Sequence, residues 1–203
     1  MSSEIKVSSV KAKDGTAGIS IADSTGDIGF SGNTLKNAVL DSTVTGVGIS
    51  DISTFFITGN AANSGAHTYT STWAIQNSAP FATKGAAVTE ASGIFTFPST
   101  GYWLITAQLR GYLDGASNST VMYVEVSTDN GSNYTTRGEA QVNAYTSSAY
   151  INLRTSIIID VTSITGGTTF KVRLSKAGAG TFTQLGSSTT NSSSMIFQRL
   201  GST

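Results

Sequence analysis

The sequence predicts an all-β protein, a sandwich or jelly roll, and three observations carry that prediction. Phe170, Val172 and Leu174 alternate with Lys171, Arg173 and Ser175, and Ile151, Leu153, Ile157, Ile159 and Val161 oppose Asn152, Arg154, Ser156 and Asp160. Period two of this kind marks a half-buried strand, and helical spacing is absent. Turn signals such as Asp129-Asn130-Gly131 and Gly166-Gly167 separate the apolar runs and suit tight turns that need positive φ. About eight strands at this spacing fit a sandwich or jelly roll.

Composition agrees. Of 203 residues only 12% are charged, with a formal net charge of zero, and there are 22 glycines, two prolines and no cysteine. Thr and Val favour pleated strands, while Gly and Asn supply turns. Without cysteine there is no disulfide, thiolate metal site or thiol nucleophile. Scattered charges of both signs leave no basic footprint for nucleic acid, and no membrane insertion is expected because no run approaches ~20 apolar residues. The opening Met1-Ser2-Ser3-Glu4-Ile5-Lys6 lacks the apolar core of a secretion signal, so the chain is expected to be made in a cytoplasm and to stay soluble. A weakly charged, neutral chain offers little self-repulsion against assembly.

Residues 1–48 read as an extended arm and residues 49–203 as a head domain. The arm holds one aromatic, Phe30, and short alternating pieces such as Ile5-Lys6-Val7, Ile19-Ser20-Ile21 and Ile28-Gly29-Phe30, each broken by a turn signal such as Asp14-Gly15 or Gly32-Asn33. Strands that short cannot offset an ordering cost of roughly 1–2 kcal/mol per residue by themselves. A disordered tail is one reading. The regularly placed aliphatic residues, from Ile5 and Val7 to Val39 and Leu40, favour an arm over residues 4–48 that orders by pairing with other chains.

The core begins near Ser53. Apolar runs follow at Phe55-Phe56-Ile57, Trp73-Ala74-Ile75, Ile94-Phe95-Thr96-Phe97, Tyr102 to Ala107, Val121 to Val126, Tyr150 to Val161 and Met195-Ile196-Phe197. The stretch Ala91-Ser92-Gly93-Ile94-Phe95-Thr96-Phe97-Pro98-Ser99-Thr100-Gly101-Tyr102-Trp103-Leu104-Ile105-Thr106-Ala107 resembles the signature of the globular head of complement component C1q and its tumour necrosis factor relatives. In it Pro98 ends one strand, Gly101 turns the chain, and Tyr102-Trp103 opens a central strand. Two later segments, Thr155 to Leu174 and Met195 to Leu200, occupy the places of that family's last strands, so the likeness spans roughly Ser53 to Leu200.

The resemblance implies a tumour necrosis factor-like jelly roll and a compact homotrimer with aromatic and aliphatic side chains about a threefold axis. Phe55, Phe56, Tyr102, Trp103 and Phe197 are the candidates for that interface, although most of them are expected to be intrachain core. The arm has its own, compositional likeness to the leading segments of bacteriophage fibre and other virion proteins, in phrases such as Asp14-Gly15-Thr16-Ala17-Gly18 and Thr34-Leu35-Lys36-Asn37.

No catalytic, cofactor or metal site emerges. His67 is the only histidine and reads as an exposed loop residue, so a histidine cluster within one chain is impossible. No Gly-x-Ser-x-Gly elbow accompanies the many serines. Asp129-Asn130-Gly131-Ser132-Asn133 is rich in oxygen but lacks the further ligands of a calcium loop, so a hairpin turn is expected there. Glu90, Asp114, Glu125, Glu139 and Asp160 stand singly, as solvated strand residues or loop ends.

The expected function is that of a non-enzymatic structural protein of a bacteriophage virion: a homotrimeric fibre or knob-like appendage, docked on head or tail proteins through residues 4–48. Head loops would contact a host glycan or protein through Tyr134, Tyr145 and Tyr150, whose rigid rings lose little entropy on binding. The alternatives are a capsid decoration or cementing protein without receptor binding, and a tail-associated polysaccharide-degrading enzyme, which would need a clustered acidic groove.

Overall fold

The computed structural model describes residues 49–115, 119–143, 146 and 148–203; the expected arm at 1–48 lies outside the described residues. Among the described residues thirteen strands follow one another: β1 (Ile52–Ile57), β2 (Ala61–Ser64), β3 (His67–Thr68), β4 (Trp73–Ile75), β5 (Thr89–Ala91), β6 (Ile94–Thr96), β7 (Gly101–Leu113), β8 (Ser119–Ser127), β9 (Thr135–Asn143), β10 (Tyr150–Val161), β11 (Lys171–Ala177), β12 (Thr181–Gln184) and β13 (Ser194–Gly201). The all-β, jelly-roll expectation is met. The strand number is higher than expected because pieces of two to four residues, such as β2 and β3, carry no readable alternation.

Two antiparallel sheets face each other. In the front sheet β7 is central: β10 pairs along one edge over its whole length, while β13 and then β12 share the other, followed outward by β1 and β4 on β13 and by β2 on β12. The back sheet runs β5-β6-β11-β8-β9, with β3 also paired to β11. The Gly166-Gly167 segment is therefore not a hairpin turn. It belongs to a connection that crosses from β10 in one sheet to β11 in the other, with Gly166–Thr168 forming a single 3-10 turn.

The expected hairpin at Asp129-Asn130-Gly131 does form, with φ of 59° and 88° at Asn130 and Gly131. Gly101 also earns its place, because φ is 132° there and a Cβ would collide with the Gly201 carbonyl oxygen.

Between the sheets lies an aromatic core. Phe55 meets Phe95 edge-on and Phe95 meets Phe197 at a tilt, with centroids 5.0 and 5.1 Å apart, and Trp103 packs on Phe97 at 5.1 Å. Such pairs add about 0.5–1.5 kcal/mol beyond their area burial. The period-two reading of β10 holds: Leu153 and Val161 are buried, and Ile157 and Ile159 pack against the core.

Along one side of the sandwich β9 packs across β10. At Gly138 a Cβ would stand 2.7 Å from Ile157 Cγ2, so a larger residue would have to push the Ile157 side chain aside. The ladder between β8 and β9 shifts register beside it, at Val124/Glu125.

Candidate functional site

Phe55, Phe56, Trp103 and Phe197 are buried inside the single chain and keep almost no ring surface for a neighbouring copy. Phe55, Trp103 and Phe197 point into the core. Phe56 occupies the opposite face of β1, where Phe81 meets it edge-on at 5.0 Å. Asp51 and Lys84 tie the Phe81 segment to β1: Asp51 Oδ1 accepts from the Ala86 amide, and the Ile52 and Lys84 backbones exchange hydrogen bonds. Of the five interface candidates Tyr102 alone is exposed, at 44%.

Tyr102 has company that the sequence reading missed. The exposed large apolar side chains among the described residues are Ile49, Tyr102, Tyr150, Ile158 and Leu200, and every one lies on or beside the front sheet. Tyr102, Tyr150 and Ile158 share the outer face of β7 and β10, because Tyr102 and Leu104 stand opposite Asp160 and Ile158 and alternate with inward-facing Trp103 and Ile105. Leu200 sits in the bulge of β13 beside Tyr102, and Ile49 leads into β1. Ile158 carried a signal in the sequence: it interrupts the polar side of β10, where Asn152, Arg154, Ser156 and Asp160 precede and follow it.

The same face holds Asp160 Oδ1, a buried carboxylate oxygen with no hydrogen-bond partner.

The outer face of the back sheet is different in kind. Arg173 Nε donates to Glu125 Oε2 at 2.9 Å, Ser175 Oγ donates to the same oxygen at 2.7 Å, and the guanidinium lies 4.0 Å from the centre of the Tyr134 ring. Tyr134 is thus a half-buried wall for Arg173 rather than a free recognition ring, with burial pushing its phenol up. Tyr150 is 70% exposed and meets Tyr112 edge-on. Tyr145 lies outside the described residues.

His67 is not an exposed loop residue. It is half-buried in β3, opposite Lys176, with its ring edge-on to Tyr69 at 5.0 Å, and burial followed by the Lys176 charge lowers its pKa. Lys176 itself is buried and donates to the Gly65 carbonyl at 2.6 Å. The Asp129 loop closes on itself: Asp129 Oδ1 accepts from the Asn133 amide and the Ser127 hydroxyl, and Oδ2 accepts from Asn133 Nδ2. No group of three or more His, Cys, Asp or Glu side chains able to hold a metal ion is found among the described residues.

No family model matches the sequence, and no curated protein matches it. Solved structures do. A tumour necrosis factor from S. frugiperda, Eiger, superposes with a TM-score of 0.56 at 14% identity, over 77% of this chain and 95% of that one. Murine APRIL at pH 5.0 and at pH 8.5 gives TM-scores of 0.53 and 0.51 at 12% identity, over 74% of this chain and 98% of each of those. At such identity the likeness concerns the fold alone, and that fold is the tumour necrosis factor-like jelly roll.

Proposed function

We propose that this chain is a non-enzymatic structural protein of a bacteriophage virion, a homotrimeric knob-like appendage anchored through residues 1–48. The single observation that carries the assembly part is the confinement of the exposed large apolar side chains to the front sheet and its margins. Tyr102, Ile158 and Leu200 lie together at one end of that sheet, and exposed apolar groups so placed mark interaction surfaces, while Tyr150 stands at its other end beyond exposed Arg154 and Asn152. The threefold symmetry follows the family resemblance of residues 91–107, and the virion setting follows the composition and phrasing of the arm.

Several acidic side chains have structural roles in this reading. Asp51 holds the Ala86 amide, Glu90 the Gly93 amide, Asp114 the Thr181 amide, and Glu125 the Arg173 guanidinium. That use of carboxylates supports a scaffold over a polysaccharide-degrading enzyme, whose acid pair must be free to exchange protons.

The test is the mass of the purified protein in solution, for the full chain and for a chain beginning at Ile49. A start at Ser53 would remove Asp51 and Ile52, which hold the Ala86 and Lys84 segment and pair with β13. Three copies of the 20.9 kDa chain are expected for the full-length protein, and three copies of the shorter chain for the truncation. A monomeric truncation would move trimerisation to the arm, and a monomeric full chain would overturn the assembly reading.

A further inference from the structure

We infer that the concave patch on the outer face of the back sheet, over β8 and β11, is a binding cleft for a neutral saccharide. The cleft has a volume of about 290 Å³, just below the ~300–1,000 Å³ range of small-molecule sites. Its floor and walls include His67, Thr68, Tyr123, Glu125, Arg173 and Ser175. In a chain with only 12% charged residues, this one place holds the one ion pair found among the described residues, beside Thr68 of β3.

The polar groups are held rigidly and incompletely used. Glu125 Oε2 takes both short hydrogen bonds, from Arg173 Nε and Ser175 Oγ, while Oε1 has only a 3.5 Å contact from Arg173 Nη2. A carboxylate oxygen has two acceptor positions, so Oε1 retains capacity for a donor. The Tyr134 ring fixes the guanidinium from one side, which removes most of the entropy cost of presenting it. The pair offers an acceptor and a donor side by side.

That pattern selects a ligand class. Adjacent hydroxyls of a sugar can donate to Glu125 and accept from Arg173 at once, with the Tyr123 ring available to the apolar face of the pyranose. An anionic ligand would meet the Glu125 carboxylate, a cationic one the Arg173 guanidinium, and an apolar one would strip water from both without replacement. The inference sharpens the host-contact part of the proposed function by moving recognition from the loops to a sheet face, and it rests on that reading only for the biological source of the sugar.

The test uses saturation-transfer difference NMR on the full chain with the methyl glycosides of glucose, galactose, mannose and N-acetylglucosamine, and with N-acetylneuraminic acid as the acidic arm. A signal from at least one neutral glycoside is expected, weakened about tenfold or more in Glu125→Gln and in Tyr123→Ala and unchanged in Ile158→Ser on the opposite sheet. Glu125→Gln keeps the size and shape of the side chain, so a lost signal in a folded variant reports the site. No signal from any neutral glycoside, a signal from the acidic sugar alone, or a signal that survives both cleft variants would overturn the inference. The mass of the same samples reports assembly separately, so failure of the cleft and failure of the trimer are distinguishable.

Discussion

The outer faces of the two sheets are made from the same alternating strands and differ in whether they expose large apolar side chains. The front sheet turns Tyr102, Tyr150 and Ile158 outward and leaves Asp160 Oδ1 without a partner. On the back sheet Arg173, Glu125 and Ser175 face outward and are joined to one another. The front face is mixed, with Arg110, Asn152, Arg154 and Ser156 exposed between Tyr150 and the end that carries Tyr102 and Ile158, whereas the back face exposes no large apolar side chain among the described residues. One end of the front sheet is thus suited to burial by protein while the back sheet presents an ion pair, and each can be altered without touching the other.

The largest expected effect separates inside from outside on a single strand. Trp103 and Tyr102 are adjacent on β7, yet Trp103 is fully buried and Tyr102 is not. Trp103→Ala should cost about 3–5 kcal/mol, the usual loss for an aromatic removed from a packed core, read as a fall in the denaturant midpoint. Tyr102→Ser, measured on the dissociated chain at high dilution, should cost under about 1 kcal/mol. Equal losses would mean that Tyr102 is part of the core and that the outer face is not a separate surface.

The next effect falls on assembly. Ile158→Arg places a charge at the apolar end of this face, opposite Leu104 and two residues along the strand from the pair that holds Tyr102. Its dissociation constant should rise about 30-fold or more, the ~2 kcal/mol of an interface hot spot, while the unfolding midpoint of the dissociated chain stays put. Sedimentation across a dilution series reads it. An unchanged association would move the interface off this sheet.

Much of this contrast was legible in the sequence. The long strands β7, β10 and β11 announce themselves by alternation, and Ile158 stands out as the apolar member of an otherwise polar row. Phe56 misled because three consecutive buried residues, Phe55-Phe56-Ile57, require cover on both faces of β1, and that cover comes from Phe81, distant in sequence. The cleft was out of reach for a similar reason: Arg173 and Glu125 are 48 residues apart, and only the register of β11 on β8 sets them side by side. His67 looked like a loop residue because a two-residue strand has no period.

On the back face the expected effect is smaller. Arg173→Lys keeps the charge but loses the planar stack on Tyr134 and the forked approach to Glu125. About 1 kcal/mol of stability should go, since partly exposed ion pairs and cation–π contacts are each worth roughly that or less. Assembly should be untouched, and a change in mass for this variant would erase the division between the faces.

The smallest effect lies at the Asp129 turn, next to that face, and it is a matter of pH. The Asn133 amide, the Ser127 hydroxyl and the Asn133 side chain hold the Asp129 carboxyl down to about 2. The ionised form is therefore favoured by folding, so its contribution is complete above the ordinary carboxylate value of about 3.9 and disappears as pH falls through about 2. His67 on the same sheet works through burial instead: with its pKa lowered, its contribution is present above the ordinary value near 6.5 and declines as pH drops below it. Carbon-13 titration should place the Asp129 carboxyl transition near 2, and Asp129→Asn should flatten the stability profile only below pH ~4. A transition at the ordinary value would mean that the turn does not hold its hydrogen bonds in solution, and with them would go the rigid hairpin that carries Tyr134 to Arg173.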